Sequence, residues 1–387
     1  MKQKNKPSTS PKVFGSSVEF SDKNISIAYD NICRTDCQVK LSPTYSENSE
    51  LKEKFEPKHK KSIYLSDIYL RLGKEKKSSR VCECGSYLEF AHEVDSYGTI
   101  DDKGKLHKAF FCRDRFCPMC SWRRSLKLFA NVSQCIPKIT KDYKCLFLTL
   151  TIPNCTEEDF QITIDRLMSG WSKLTHNKKW KQVVKGFFRV LEVTRNKDKN
   201  SKSYKTLHPH FHIILVVSKT YGTKKDFYFT RDELLNLWQQ SFGDDSITQV
   251  DIRTLKSKDS KEITSSQEII PLKDLEKSLN SAIAETCKYT LKDSDFLDES
   301  LPEEEQDRLL EILSVGLHHR RLAHFGGVFK DVYNALDLED VEDDSCDLTH
   351  IDETINSGVA LLITRFHWGM GCYNFFSKSV KYKKEVI

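Results

Sequence analysis

The sequence predicts an α+β protein: a ferredoxin-like, split βαβ antiparallel sheet with an N-terminal cysteine-rich zinc-binding module. Three observations predict it. Cysteines cluster ahead of residue 121; from residue 144 apolar stretches alternate between strand and helix periodicity in the order β-α-β-β-α-β-α; and one of those strands carries histidines at alternate positions.

With 387 residues, 38% hydrophobic and 30% charged, the chain can bury a sizeable core as one or two domains. No apolar stretch approaches the roughly 20 residues of a membrane helix, and Met1 to Pro7 lacks the apolar centre of a signal peptide. No membrane association and a cytoplasmic location are therefore expected. Thirteen cysteines, an odd number spread through apolar segments as well as clusters, argue for free thiols plus one metal cluster rather than a disulfide framework. The net charge of +5 conceals an uneven distribution, since residues 337–353 hold nine acids and no Lys or Arg. The remainder is correspondingly basic and suits a partner made of phosphates, whereas the acidic run alone reads as a solvated linker. The chain has no internal repeat and no G-x-x-x-x-G-K-[ST] loop, which argues against an ATP-driven motor.

Residues 1–75, rich in Lys, Ser, Asn and Pro at their start, are expected to be largely disordered. Residues 76–140 form the cysteine module, in which Cys82-Glu83-Cys84-Gly85 precedes Cys112-Arg113-Asp114-Arg115-Phe116-Cys117-Pro118-Met119-Cys120. Thiolates from two separated turns, one of them Cys-x-x-Cys, match a tetrahedral structural Zn²⁺ site. Cys84, Cys112, Cys117 and Cys120 are the expected ligands, because Gly85 permits a tight turn after Cys84; Cys82 and His107 are the spares. Arg113 and Arg115 in this cluster, and Arg123, Arg124 and Lys127 on the basic amphipathic helix behind it, are candidate phosphate contacts.

Residues 141–334 carry the alternating elements. Cys145 to Ile152 is a strand stopped by Pro153-Asn154; Thr156 and Asp159, in capping-box spacing, open a helix with Phe160, Ile164, Leu167 and Trp171 on one side. Gly186 to Thr194 is the second strand, joined as a hairpin through a polar turn, Arg195 to Tyr204, to the third, Leu207 to Val217. Thr230 and Glu233 cap a second helix, Ile247 to Leu255 is the fourth strand, Lys256 to Gln267 a polar loop, and Leu272 to Leu291 a final helix. Such a sheet has one face free for a site.

Along the third strand His208, His210 and His212 point one way while Phe211, Ile213 and Leu215 point into a core. A solvent-facing strand edge would also account for them, but Glu192 lies in the apolar run of the partner strand, where a charge needs a counterpart. A divalent cation shared with the imidazoles would be one, and mixed nitrogen and carboxylate donors suit Mg²⁺ or Mn²⁺; an ion pair of Glu192 with Arg189 or Arg195 is the alternative. On the final helix Glu285, Lys288, Tyr289 and Lys292 fall at i, i+3, i+4 and i+7, one face distinct from the apolar stripe. Two ammonium groups beside a tyrosine favour its phenolate and attract a phosphodiester, and Glu285 is placed to accept a proton.

Together Phe147-Leu148-Thr149-Leu150-Thr151, His208-Pro209-His210-Phe211-His212, Lys288-Tyr289-Thr290-Leu291-Lys292 and the cysteine module through Arg124 resemble plasmid rolling-circle replication initiators of the HUH endonuclease superfamily, in the branch with one tyrosine and a glutamate. The resemblance runs from Cys84 to Lys330 and implies a metal-dependent, site-specific DNA nicking and joining enzyme. It implies that His210 and His212, with His208 an addition and Glu192 our inferred third ligand, hold the metal. Tyr289 would form a 5′-phosphotyrosyl link and free a 3′-hydroxyl primer, Lys288 or Lys292 would stabilise phosphate charge, and Glu285 would activate water at termination. The substrate would be origin DNA, single-stranded or in a hairpin at the nick, with helicase and polymerase supplied by the host. Rival readings are a single-tyrosine transposase or relaxase, and a zinc-containing DNA-binding regulator without catalysis. Residues 335–387 comprise the acidic linker and a C-terminal segment whose Arg365-Phe366-His367-Trp368 packs back on the core or mediates self-association into a homo-oligomer.

Overall fold

A computed structural model describes residues 51–95, 97, 99–100, 104–223, 227–254, 282–287, 292–351 and 360–382. After a turn at Leu51–Phe55, helix α1 (Glu56–Arg71) buries Ser62, Leu65, Ile68 and Tyr69, a stripe at helical spacing. This corrects the expectation of disorder for residues 51–75, whereas residues 1–50 lie outside the described residues. Lys58, Lys60 and Lys61 lie on exposed or half-buried positions and make the start of the helix read as polar without breaking the buried stripe. Helix α2 (Glu75–Cys82), strands β1 (Tyr87–Val94) and β2 (Lys105–Ala109) and the long helix α3 (Pro118–Ile139) follow. Pro118 stands at the first turn of α3, where its missing N–H costs nothing.

The predicted alternation is observed next: β3 (Tyr143–Thr151), α4 (Phe160–His176) with the short α5 (Lys178–Val183), β4 (Val184–Arg195), β5 (Leu207–Ser218), α6 (Arg231–Phe242) and β6 (Val250–Thr254). Thr230 and Glu233 make the expected reciprocal capping box on α6. Thr156 accepts from the Asp159 amide at 3.2 Å, but α4 itself starts later, at Phe160. The 256–267 loop and most of the helix expected over 272–291 lie outside the described residues; within that helix residues 282–286 are helical, with Ile283 and Cys287 buried. Helices α7 (Asp293–Phe296) and α8 (Glu303–Gly316), strand β7 (Ala323–Gly327) and helix α9 (Val328–Ala335) complete this half, and β8 (Ala360–Gly369) and β9 (Cys372–Tyr382) end the described chain.

Two antiparallel sheets result. The larger has the order β6-β3-β5-β4-β7, so that β5 separates β3 from β4 although α4 connects those two directly in sequence. Its faces are not equivalent. Trp171 of α4 meets Phe187 and Phe211 on one face, while Phe188 stacks on Phe325 and meets Phe329 of α9 on the other. Gly186 permits that second contact: a Cβ there would stand 2.8 Å from the Phe329 amide nitrogen. The second face is thus covered at one end, where Ile214 and Val216 are fully buried, and only its histidine end is left for a site.

The smaller sheet has the order β2-β1-β8-β9, with all eight residues of β1 paired to β8. The C-terminal segment therefore packs back on the core: Phe366 meets Phe90, and Trp368 meets His59 of α1. The acidic run behaves differently from a solvated linker. Residues 339–350 lie along α3, where Lys127 pairs with Glu339 at 3.0 Å and Arg123 donates to the Leu348 and Thr349 carbonyls at 2.8 and 2.7 Å.

Candidate active site

Strand register brings the predicted donors together. Glu192 of β4 lies directly opposite His210 of β5, and His212 is two residues on, so all three share a face. Glu192 Oε2 is 2.9 Å from His212 Nε2 and 3.5 Å from His210 Nε2, and the two imidazole nitrogens are 3.2 Å apart. Glu192 is 3% and His210 8% exposed, so this convergence is shielded from water. The outward nitrogens are already engaged: His210 Nδ1 donates to the His208 carbonyl at 3.0 Å, and His212 Nδ1 faces Thr149 Oγ1 at 3.3 Å. With Nδ1 carrying the proton, both Nε2 lone pairs face the carboxylate, and three donors with no hydrogen between them fit a cation. Burial pushes the Glu192 carboxyl up, but when the Nε2 nitrogens carry hydrogens instead, the His210 and His212 hydrogen bonds outweigh it and hold the group below the usual carboxylate range.

Neither arginine competes for Glu192. Arg189 is on the opposite face over the Phe211 ring, and Arg195 pairs with Glu157 and Glu305 at 3.2 and 2.6 Å. Instead Lys292 Nζ stands 3.5 Å from Glu192 Oε1. His208 stacks on His210 at a centroid distance of 5.0 Å and stands outside the group of converging donor atoms; burial, with the neighbouring His210 charge, lowers its pKa to about 4. Glu285 is half-buried on the helical turn 282–286, in the electrostatic reach of Arg253 on β6. Lys288 and Tyr289 lie outside the described residues.

The four expected cysteines also converge. Cys84 follows α2, Cys112 follows β2, Cys117 caps α3 and Cys120 lies in its first turn, and all four are at most 3% exposed. Cys120 Sγ is 3.5 Å from Cys84 Sγ and 3.7 Å from Cys112 Sγ, too long for disulfides and close to the roughly 3.8 Å edge of a tetrahedron with 2.3 Å metal–sulfur bonds. Backbone amides point at the sulfurs, Cys112 N–H to Cys84 Sγ at 3.4 Å and Arg113 N–H to Cys120 Sγ at 3.2 Å. Gly85 and Arg113 make these turns with φ of 78° and 60°. Helix α1 supplies an outer layer that sequence reasoning missed: Ser62 Oγ lies 3.3 Å from Cys117 Sγ, and His59 Nδ1 lies 2.7 Å from the Cys84 carbonyl. Their spacing from Leu65 and Tyr69 on one helical stripe was the available signal. Cys82 is exposed, and His107 is absent from the converging group.

The cations expected to meet phosphates are largely occupied within the protein. Arg113 donates to the carbonyls of Asp344 and Cys346; Arg124 braces the cysteine loop through the Arg113 and Asp114 carbonyls at 2.7 and 3.2 Å; Arg123 and Lys127 hold the acidic segment. Arg123 and Arg124 are 7% and 4% exposed. Arg115 is more open, contacting the Leu317 carbonyl and Glu342. A buried guanidinium needs several acceptors, and carbonyls of the chain itself serve as well as phosphate oxygens.

A family profile described as "Replication protein" matches residues 103–371. "Protein rep" of Bacillus amyloliquefaciens is 33% identical over 306 residues, covering 77% of this chain and 84% of that protein. "Protein rep" of Streptococcus pneumoniae serotype 2 is 31% identical over 324 residues, covering 82% and 90%, and "Protein rep" of Lentilactobacillus hilgardii is 32% identical over 320 residues, covering 80% and 90%. No solved structure matches the chain. Among the described residues no helix is long and apolar enough to cross a membrane. The matched span takes in the converging cysteines Cys112, Cys117 and Cys120 and the Glu192–His210–His212 group, and on these grounds the chain belongs to the replication protein family of plasmid initiators of the rolling-circle type.

Proposed function

We propose that this replication initiator is itself the nicking and joining enzyme, acting through an HUH endonuclease domain over residues 141–334 beside a zinc module over residues 76–140. The observation that carries the reading is the convergence of Glu192, His210 and His212 donor atoms within 4.8 Å of one another, with the Lys292 ammonium beside them. The β6-β3-β5-β4 strand order supports the split βαβ assignment. His210, His212 and Glu192 would hold Mg²⁺ or Mn²⁺, which supplies Lewis-acid polarisation of a phosphate oxygen when bound. Cys84, Cys112, Cys117 and Cys120 would hold structural Zn²⁺.

In this reading Tyr289 Oη attacks phosphorus, its bond forms as the bond to the 3′-oxygen breaks, and the freed 3′-hydroxyl primes synthesis by a host polymerase behind a host helicase. Lys288 and Lys292 stabilise charge on the phosphate, and His208 orients His210 through its carbonyl. At termination Glu285 takes the proton of an attacking water, so no covalent intermediate survives to begin another round. The cleaved strand must be single-stranded at the site, in an origin hairpin or melted segment of cytoplasmic plasmid DNA.

Incubation of the purified chain with supercoiled origin plasmid and Mn²⁺ or Mg²⁺ is expected to give nicked circles and a covalent protein–DNA species. Tyr289→Phe is expected to abolish both. Nicking at the wild-type rate by Tyr289→Phe would refute the nucleophile, and no nicking by the wild-type chain would leave a DNA-binding regulator without catalysis.

A further inference from the structure

With Arg113, Arg123, Arg124 and Lys127 holding the chain's own carbonyls, the phosphate-binding surface must be sought elsewhere. Two clefts share one wall made by Arg115 and Phe116. The first, about 190 Å³, is lined by Lys58 of α1, by Asp293, which pairs with Lys58 at 3.2 Å, and by Lys292, the lysine that reaches Glu192 of the candidate active site. The second, about 740 Å³, lies between α2, the end of α8 and the start of α4, and is lined by Lys74, Lys77, His318, His319 and Arg320 with no carboxylate among its lining residues.

We infer that these clefts form one track for the phosphate backbone of DNA, leading from the candidate active site over Arg115 to the Lys74–Arg320 cleft. The larger cleft gathers four cations, counting Arg115, and two imidazoles. Lys77 is paired with Asp114, Arg115 with Glu342 and Arg320 with Asp165, while Lys74 has no ion pair among the described residues. Arg320 and Ser314 both line this cleft; their Nε and Oγ atoms are buried without a hydrogen-bond partner among the described residues. A phosphodiester supplies acceptor oxygens and negative charge at once. The inference rests on the nicking reading for the direction of the track, but not for the cleft itself.

The test is fluorescence anisotropy of labelled random-sequence oligonucleotides, one single-stranded and one duplex, titrated with the full chain over a range of salt. Random sequence suffices because backbone contacts carry no sequence information. Lys74→Gln with Arg320→Gln changes one unpaired lysine and one surface ion pair and leaves the site residues untouched. Each lost contact flattens the plot of log affinity against log salt by about 0.9 for duplex and about 0.7 for single strands, so the pair is expected to lower the slope by roughly 1.8 or 1.4. The arm whose slope falls by its own expected amount identifies the form of DNA in the cleft, and both arms falling so means that both forms enter it. Binding at least tenfold weaker near physiological salt is expected, with an unchanged unfolding transition. An unchanged slope in both arms overturns the inference even where the wild-type chain nicks plasmid DNA. A lowered slope in a chain that binds but never nicks upholds the cleft and overturns the nicking reading alone.

Discussion

Arg123 separates a structural from a DNA-binding role, and its replacement has a magnitude that follows from its contacts. The guanidinium is 7% exposed, donates from Nε to the Leu348 carbonyl at 2.8 Å and from Nη2 to the Thr349 carbonyl at 2.7 Å, and lies 5.5 Å from the Trp122 ring centroid. A charge-assisted hydrogen bond contributes about 1.5–3 kcal/mol, and Arg123→Ala removes two and strands two carbonyls, so a loss of about 3–6 kcal/mol is expected. Urea unfolding followed by tryptophan fluorescence measures it, since Trp122 reports on the same helix. Limited proteolysis is expected to cut the variant between residues 337 and 351, where the wild-type chain is protected, and Arg123→Lys, which keeps charge but not the fork, is expected to recover less than half of the loss. A destabilisation below about 1 kcal/mol accompanied by weaker DNA binding would refute the reasoning, because the guanidinium would then meet phosphate rather than the acidic segment.

Three further outcomes test other parts of the structure. Cys117→Ser removes a fully buried thiol from the converging cysteines; with the proposed structural Zn²⁺ held there, it is expected to lower the metal content and unfold the module, because structural zinc contributes about 10–16 kcal/mol, as much as a whole domain's stability; metal analysis and chelator-dependent melting check it. Burial, with Arg189, Arg321 and Lys330 nearby, lowers the His324 pKa from 6.5 to about 4, so the unfolded chain binds a proton that the folded chain resists. Stability from this group is full above about pH 6.5 and falls as pH drops toward about 4, by up to about 1.4 kcal/mol per unit, and His324→Gln is expected to flatten that part of the urea-midpoint profile. Gly186→Ala would put a Cβ against the backbone of residues 326, 328 and 329 and is expected to cost about 2 kcal/mol or more, lowering the melting temperature by several degrees.

Much of the larger sheet was legible because its signals are local. Period-two apolar runs separated by polar turns marked β3 to β6, the Thr230–Glu233 spacing marked the start of α6, and the alternation of His208, His210 and His212 set the face on which Glu192 had to be their neighbour. The cysteine spacing likewise named four thiols that do converge. Helix α1 was hidden by its lysines, since composition averages over the helix and only the positions of Ser62, Leu65 and Tyr69 reveal the buried stripe. Strands β8 and β9 were left unassigned: β8 pairs with β1, more than two hundred residues earlier in the chain, and β9 joins the sheet through β8.

The sequence by itself therefore determined the donors: which cysteines, which histidines and which carboxylate could share a centre, since each set is fixed by turn geometry or by the two-residue repeat of a strand. Tertiary structure alone decided what the basic residues do. A guanidinium binds carbonyl oxygens of its own chain and phosphate oxygens of DNA through the same donors, so Arg123 and Arg124 carry no mark in the sequence that distinguishes the two uses. Packing residues 339–350 along α3 committed the Arg123 donors, the cysteine loop committed those of Arg124, and the cleft of Lys74, Arg115 and Arg320 was left as the more open cationic surface.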